Sequence, residues 1–191
     1  DARGSLWLDW GALSTGLDHP RDWWAALRDG SVLGAVTAES QPVKGCNVHP
    51  LGAMRYHAIA SPGFARQYFN DGMQAAALAR APMLVFNRKD DLQARHARRL
   101  AGSEQPLNAP TWWIPSTRAF VQANLGGLGW TMNPLPLVKR HLDAGRLVYV
   151  RQRAWEDVPL YWQHWKGEVT SMGLLTRAVL EAASTLVRRR R

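Results

Sequence analysis

GCNVHPLGAMRYHAIASPGFARQYF, residues 45–69, is the stretch whose reading decides the fold. Met54 to Ala60 predicts a strand that stops at Ser61-Pro62-Gly63. Phe64 to Phe69 then starts as a helix and breaks at the turn signal Asn70-Asp71-Gly72. The same alternation of short apolar runs and amphipathic stretches extends in both directions. Upstream, Leu6 to Trp10 reads as a strand, and Pro20 to Arg28 as a helix with Asp18 as cap and Gly30 as stop. Val32 to Thr37 (VLGAVT) reads as an apolar strand, central and parallel, before the turn-rich passage Ser40 to Gly45. Downstream, strands are predicted over Met83–Phe86, Thr111–Ile114, Leu128–Met132, Leu147–Val150 and Leu160–Trp165. Helices are predicted over Gln74–Arg80, a basic stretch ending at Leu100, Arg118–Leu125 capped by Ser116 and Thr117, Pro136–Ala144, and Leu174–Val187. Such alternation defines an α/β architecture.

Composition narrows the function. The 191 residues hold 24 basic and 15 acidic side chains, a net charge of +9. Four of those positives are the terminal run Arg188 to Arg191, read as a solvated end. The other arginines are scattered, and no stripe of basic and aromatic residues forms an RNA-binding motif. Ten tryptophans point to core and interface packing more than to base stacking. The single Cys46 excludes an internal disulfide and a cysteine-based zinc cluster, and reads as a packed thiol. No apolar run approaches the roughly 18 residues that a membrane span needs, and the first residues do not form a signal peptide. Cytoplasmic residence is the expectation.

Five stretches carry a family resemblance: residues 45–69 as quoted, LARAPMLVFNRKDDLQ (78–93), PSTRAFVQANLGGLGWTMNP (115–134), HLDAGRLVYV (141–150) and VPLYWQHW (158–165). Each is modest by itself; in this order and spacing they resemble the effector-binding domain of LysR-type transcriptional regulators, in the ArgP/LysG-like branch. The resemblance implies a two-lobed, type II periplasmic-binding-protein-like α/β fold, with mixed sheets joined by two crossover strands and a ligand in the cleft. Lobe I is expected to comprise 1–53 and 137–191, and lobe II 54–136. The winged helix-turn-helix of such regulators is absent from these residues, and the first strand and helix of the sensing domain are expected to be missing.

In open parallel sheets ligands sit beyond the carboxyl ends of strands, near helix N-termini. Thr37 and Glu39, then Asn87, Asp90 and Asp91, then Ser116 and Thr117, and finally Asn133 occupy such positions. The expected ligand is a basic L-amino acid, lysine or arginine. Ser116, Thr117 and helix-start N–H groups can donate to its carboxylate, and Glu39, Asp90 and Asp91 can accept from its ammonium groups. Trp130 or Trp162 can lie against its stem, although both read more readily as core. Ser116-Thr117 reads equally as a plain helix cap, and Asp90-Asp91 as complements to a helix dipole.

No catalytic residues, cofactor or metal ligands are expected. There is no G-x-S-x-G elbow, P-loop, H-E-x-x-H or G-x-G-x-x-G fingerprint, and the six histidines are dispersed with no pair at metal-ligand spacing. The expected role is therefore sensing: amino-acid occupancy controls transcription of an amino-acid exporter. The sensor would work as a homodimer or higher homo-oligomer and reach operator DNA only through the absent domain. A stand-alone amino-acid-binding protein of the same fold and a basic nucleic-acid-binding module are the alternatives.

Overall fold

The structure is a computed structural model that describes residues 27–28, 30, 32–88, 90–166 and 170–186. The strand expected at Leu6–Trp10, most of the helix expected at Pro20–Arg28 with its cap Asp18, and the Arg188–Arg191 tail lie outside them. The elements run β1 (Gly34–Thr37), β2 (Cys46–Ala60), α1 (Pro62–Phe69), α2 (Ala75–Arg80), β3 (Met83–Val85) and α3 (Leu92–Ala101). They continue through β4 (Thr111–Trp113), α4 (Thr117–Leu125), β5 (Thr131–Pro134), α5 (Leu135–Asp143), β6 (Val148–Tyr149), β7 (Trp155–Trp165) and α6 (Thr170–Leu186).

The chain divides into two compact units, one of residues 1–55 and 157–191 and one of 56–156. It passes between them twice, within β2 and within β7. The second passage lies later than the sequence suggests, since residues 137–156 belong to the second unit and not to the first lobe. Packing explains the difference. Val138 on α5 and Leu147 are buried in one cluster with Ile59 and Val121, and Leu142 and Tyr149 pack against it. Amphipathic spacing predicted the α5 helix correctly but carries no information about which sheet its apolar face will cover.

In the first unit β1 pairs antiparallel with β7, Gly34 opposite His164 and Thr37 opposite Tyr161, and β7 lies beside β2. This corrects the expectation of a central, parallel strand at residues 32–37. An unbroken apolar run reports that both faces of a strand are covered; it does not report the direction of the neighbour. Leu27, Ala35 and Cys46 form the buried cluster here, with Val32, Val43 and Trp165 against it. Burial raises the Cys46 thiol pKa, so this side chain packs as a neutral thiol.

β2 begins eight residues before the predicted strand and runs through Pro50 and Gly52. Pro50 is exposed, and a proline is tolerated in a strand where no ladder donor is required of it. In the second unit the far end of β2 pairs antiparallel with β5, Tyr56 opposite Pro134 and Ile59 opposite Thr131, and with β6. β3 and β4 run parallel, Met83 opposite Thr111 and Val85 opposite Trp113, and a parallel bridge joins Met83 to Trp130.

Local chemistry sets the helix ends. Ser61 accepts from the Phe64 N–H ahead of Pro62, so the predicted strand stop is also a helix start. Gly102 closes α3 in the left-handed conformation. β5 starts at Thr131, not at Leu128; Trp130 makes an isolated bridge to Met83, and the backbone at Gly129 passes close to β3. A Cβ at that position would lie 2.8 Å from the Pro82 carbonyl oxygen.

Candidate functional site

In the second unit the polar residues collect at one edge. β3 and β4 are parallel neighbours, so the turns that follow them emerge side by side, as the Ile114 N–H donating to the Val85 carbonyl shows (2.9 Å). The first turn is held by its own side chains. Buried Asn87 accepts from the Asp90 N–H through Oδ1 (3.1 Å). Asp90 accepts from the Phe86 N–H through Oδ2 and from the Leu92 N–H through Oδ1, both at 3.1 Å. Its carboxylate thus caps α3 and closes the turn together. Burial raises the Asp90 pKa although the Phe86 and Leu92 N–H groups and the Gln93 amide oppose the shift, and the charge of Asp91 adds to it. Asp91 is exposed and meets Arg95 at 3.6 Å, a surface pair of little energetic weight.

The second turn leads into α4. Ser116 is its N-cap, accepting from the Ala119 N–H at 3.4 Å, and Thr117 is its first residue. Phe86 and Phe120 meet edge to face at 6.2 Å and tie this helix to the first turn. Asn133, near the end of β5, is buried and stands opposite His57 on β2. Among the described residues its Nδ2 has no hydrogen-bond partner. The unit therefore places Asn87, Asp90, Ser116, Thr117 and Asn133 at the carboxyl ends of three strands, where α/β sheets hold ligands. Trp130 is different: it is fully enclosed, with Phe69 edge-on at 6.4 Å, and packs as core.

Thr37 and Glu39 belong to the first unit. Thr37 is buried at the end of β1, and its Oγ1 accepts from the Glu39 N–H (3.1 Å). Glu39 is exposed and accepts from the Gln41 N–H through Oε1 (3.0 Å). Trp162 is fully enclosed in the same unit.

Three positioning side chains escaped the sequence reading. Gln163, fully buried on β7, accepts from the Val43 N–H and donates to the Glu39 and Gln41 carbonyls at 2.9–3.0 Å, which fixes the loop after β1. A glutamine among aromatics in a strand was the available signal. Gln93 donates to the Leu84 carbonyl and to Thr131 Oγ1 beneath the Asp90 turn; nothing in a basic helix marks it. The third is His96, fully buried, whose Nδ1 meets Glu156 Oε1 at 2.8 Å while Arg99 holds the same carboxylate oxygen at 2.8 Å.

Burial lowers the His96 pKa; Glu156 opposes the shift, and Arg99 and Arg151 reinforce it. A histidine whose folded pKa lies below its unfolded value of about 6.5 binds fewer protons when folded. Its contribution is complete above that value and is lost as the pH falls from there to the lower folded pKa. Burial lowers the His49 and His141 pKa values as well. The melting temperature is therefore expected to drop between about pH 7 and pH 5, and to drop less in His96→Gln. A flat profile over that range would contradict the assignment.

Two α/β units joined by two through-running strands, with polar groups at strand ends, define the type II periplasmic-binding-protein-like class. Within that class the chain belongs to the LysR substrate binding domain family, whose family model matches residues 12–181. The C-terminal domains of a LysR family protein from Agrobacterium tumefaciens are 46% identical with a TM-score of 0.84, covering 91% of this chain and 83% of that one. The HTH-type transcriptional regulator LysG of Mycobacterium bovis is 44% identical over 162 residues, 85% of this chain and 52% of that protein. Full-length LysG from Corynebacterium glutamicum, solved with bound effector Arg, is 37% identical with a TM-score of 0.72, covering 86% of this chain and 55% of that one. The chain spans about half the length of the curated relatives it matches. The family is one of transcriptional regulators. Among the described residues no helix is long and apolar enough to cross a membrane.

Proposed function

We propose that this chain is the effector-sensing domain of a LysR-type transcriptional regulator, and that its effector is a basic amino acid, arginine or lysine. The observation that carries the reading is its likeness to LysG of C. glutamicum, whose bound effector is Arg, at 37% identity over 86% of this chain. The chemistry of the second unit supports it. The start of α4 offers Ser116 Oγ and the N–H groups of a helix's first turn to an α-carboxylate. Asp90 keeps unused lone pairs beyond its two backbone bonds, and a carboxylate accepting from an ammonium or guanidinium makes the stronger, charge-assisted kind of bond. Asn87, Asp91, Thr117 and Asn133 stand along the same edge of the second unit. Trp130 would contribute by holding β5 in place behind Asn133.

Binding alone does not switch a regulator. The effector must prefer one of two arrangements of the protein, and that difference in affinity is what a DNA-binding part can read. The proposed working form is a cytoplasmic homo-oligomer that reaches operator DNA through a helix-turn-helix part of a longer regulator and controls an amino-acid exporter. Fusing the chain to a helix-turn-helix domain of the family should give operator binding that changes with added arginine or lysine. Operator binding indifferent to both would overturn the proposal.

A further inference from the structure

Two histidines 115 positions apart, His49 on β2 and His164 on β7, meet in the first unit with their Nε2 atoms 3.1 Å apart. Their ring planes differ by 5° and their centroids lie 5.2 Å apart. The centroid separation exceeds the nitrogen separation by about two ring radii, so the two nitrogens point at each other across a narrow gap. The second nitrogen of His164 settles its tautomer. Nδ1 lies 2.7 Å from the Trp165 carbonyl oxygen, which can only accept, so Nδ1 carries the proton and Nε2 presents a lone pair. His49 can present a lone pair of its own when its proton sits on Nδ1.

We propose that His49 and His164 form a site for one divalent late-transition-metal ion (Zn²⁺, Ni²⁺ or Cu²⁺), bound by both Nε2 atoms and completed by water. Metal–imidazole bonds of about 2.0–2.1 Å at a tetrahedral angle set the two nitrogens about 3.4 Å apart. The nitrogens therefore need to part by only a few tenths of an ångström, with each ring turning so that both lone pairs converge on the ion instead of on each other. The His49 proton moves from Nε2 to Nδ1, so the pair binds the ion without releasing a proton. A carbonyl behind the second nitrogen of His164 is the support that metal-bound histidines characteristically have. Two neutral imidazoles without a carboxylate suit zinc, copper and nickel and not calcium or magnesium. His49 is half-buried, which leaves an approach from solvent, while His164 is buried with the Trp162 ring 5.9 Å away. Among the described residues no third histidine, cysteine or carboxylate completes a closed cluster, so the site is open and its affinity modest. An ion here would cross-link β2 and β7, the two strands that carry the chain between the units.

Sequence spacing could not reveal this pair, because antiparallel register and not local periodicity brings the two rings together. The test is calorimetric titration of chelator-treated protein with Ni²⁺, Zn²⁺ and Mg²⁺, each alone, at neutral pH. One Ni²⁺ or Zn²⁺ per chain is expected, with affinity weakened about tenfold or more in His49→Gln and unchanged in His57→Gln. His164→Gln should behave like His49→Gln where circular dichroism shows it folded; the half-buried His49 carries the test otherwise. The proposal is overturned by the absence of saturable binding, by equal binding of Mg²⁺, or by a His49→Gln protein that binds like the parent.

Discussion

Replacing Trp162 by alanine is expected to lower stability by about 3–5 kcal/mol, the range for deleting a fully buried aromatic side chain. Trp162 has no exposed surface. Its indole Nε1 donates to Thr176 Oγ1 on α6 at 3.0 Å, so the ring links sheet and helix in the first unit. The sheet is shaped around it: a Cβ at Gly34 would lie 2.6 Å from Cζ2 of the ring. Alanine would leave a cavity that a backbone held in a β-ladder cannot collapse to fill. Trp112 is the contrast, 55% exposed on β4, and its replacement should change stability by no more than about 0.5 kcal/mol. Denaturant unfolding followed by circular dichroism measures both, and equal costs would contradict the division of tryptophans between core and surface.

Asp90→Ala should produce the second large effect, in two readouts at once. Its carboxylate serves the Phe86 and Leu92 N–H groups, and hydrogen bonds to charged groups contribute about 1.5–3 kcal/mol. The loss is reduced because burial disfavours the charged form, as the raised pKa records. A net cost of about 2 kcal/mol is expected. Asp90→Asn keeps one accepting oxygen and should lose about half of that. Both variants remove the negative charge, so both should weaken arginine binding about tenfold or more, 1.4 kcal/mol being a factor of ten. If Asp90→Asn bound arginine at parental strength, Asp90 would act on the turn alone.

Much of the fold was legible in the sequence because its signals are local. Ser116 announced a helix start, Ser61-Pro62-Gly63 the end of a strand, and Asn70-Asp71-Gly72 a break. Apolar runs located the strand cores of β3, β4 and β7. What stayed hidden depends on pairing between distant segments. The direction of β1 is set by β7, the extension of β2 through Pro50 by its neighbours, and the placement of residues 137–156 by packing of Val138 on Ile59 and Val121. Of the proposed site, only positions in the fold were legible. Strand-end positions picked out Asn87, Asp90, Ser116 and Asn133, which the parallel β3–β4 pair sets along one edge. The helpers Gln93 and Gln163 were not legible, since a buried amide looks like any surface amide until its carbonyl partners, contributed by other segments, are placed. Trp130 was legible as core, and its complete enclosure in the second unit accords with that reading.

The central claim is that this domain binds a small cationic amino acid through fixed polar groups. Isothermal titration of the chain with L-arginine, L-lysine and L-leucine tests it most directly. The account predicts saturable binding of arginine or lysine with one molecule per chain, about tenfold or more tighter than leucine. Equal weak heats for all three amino acids would contradict it.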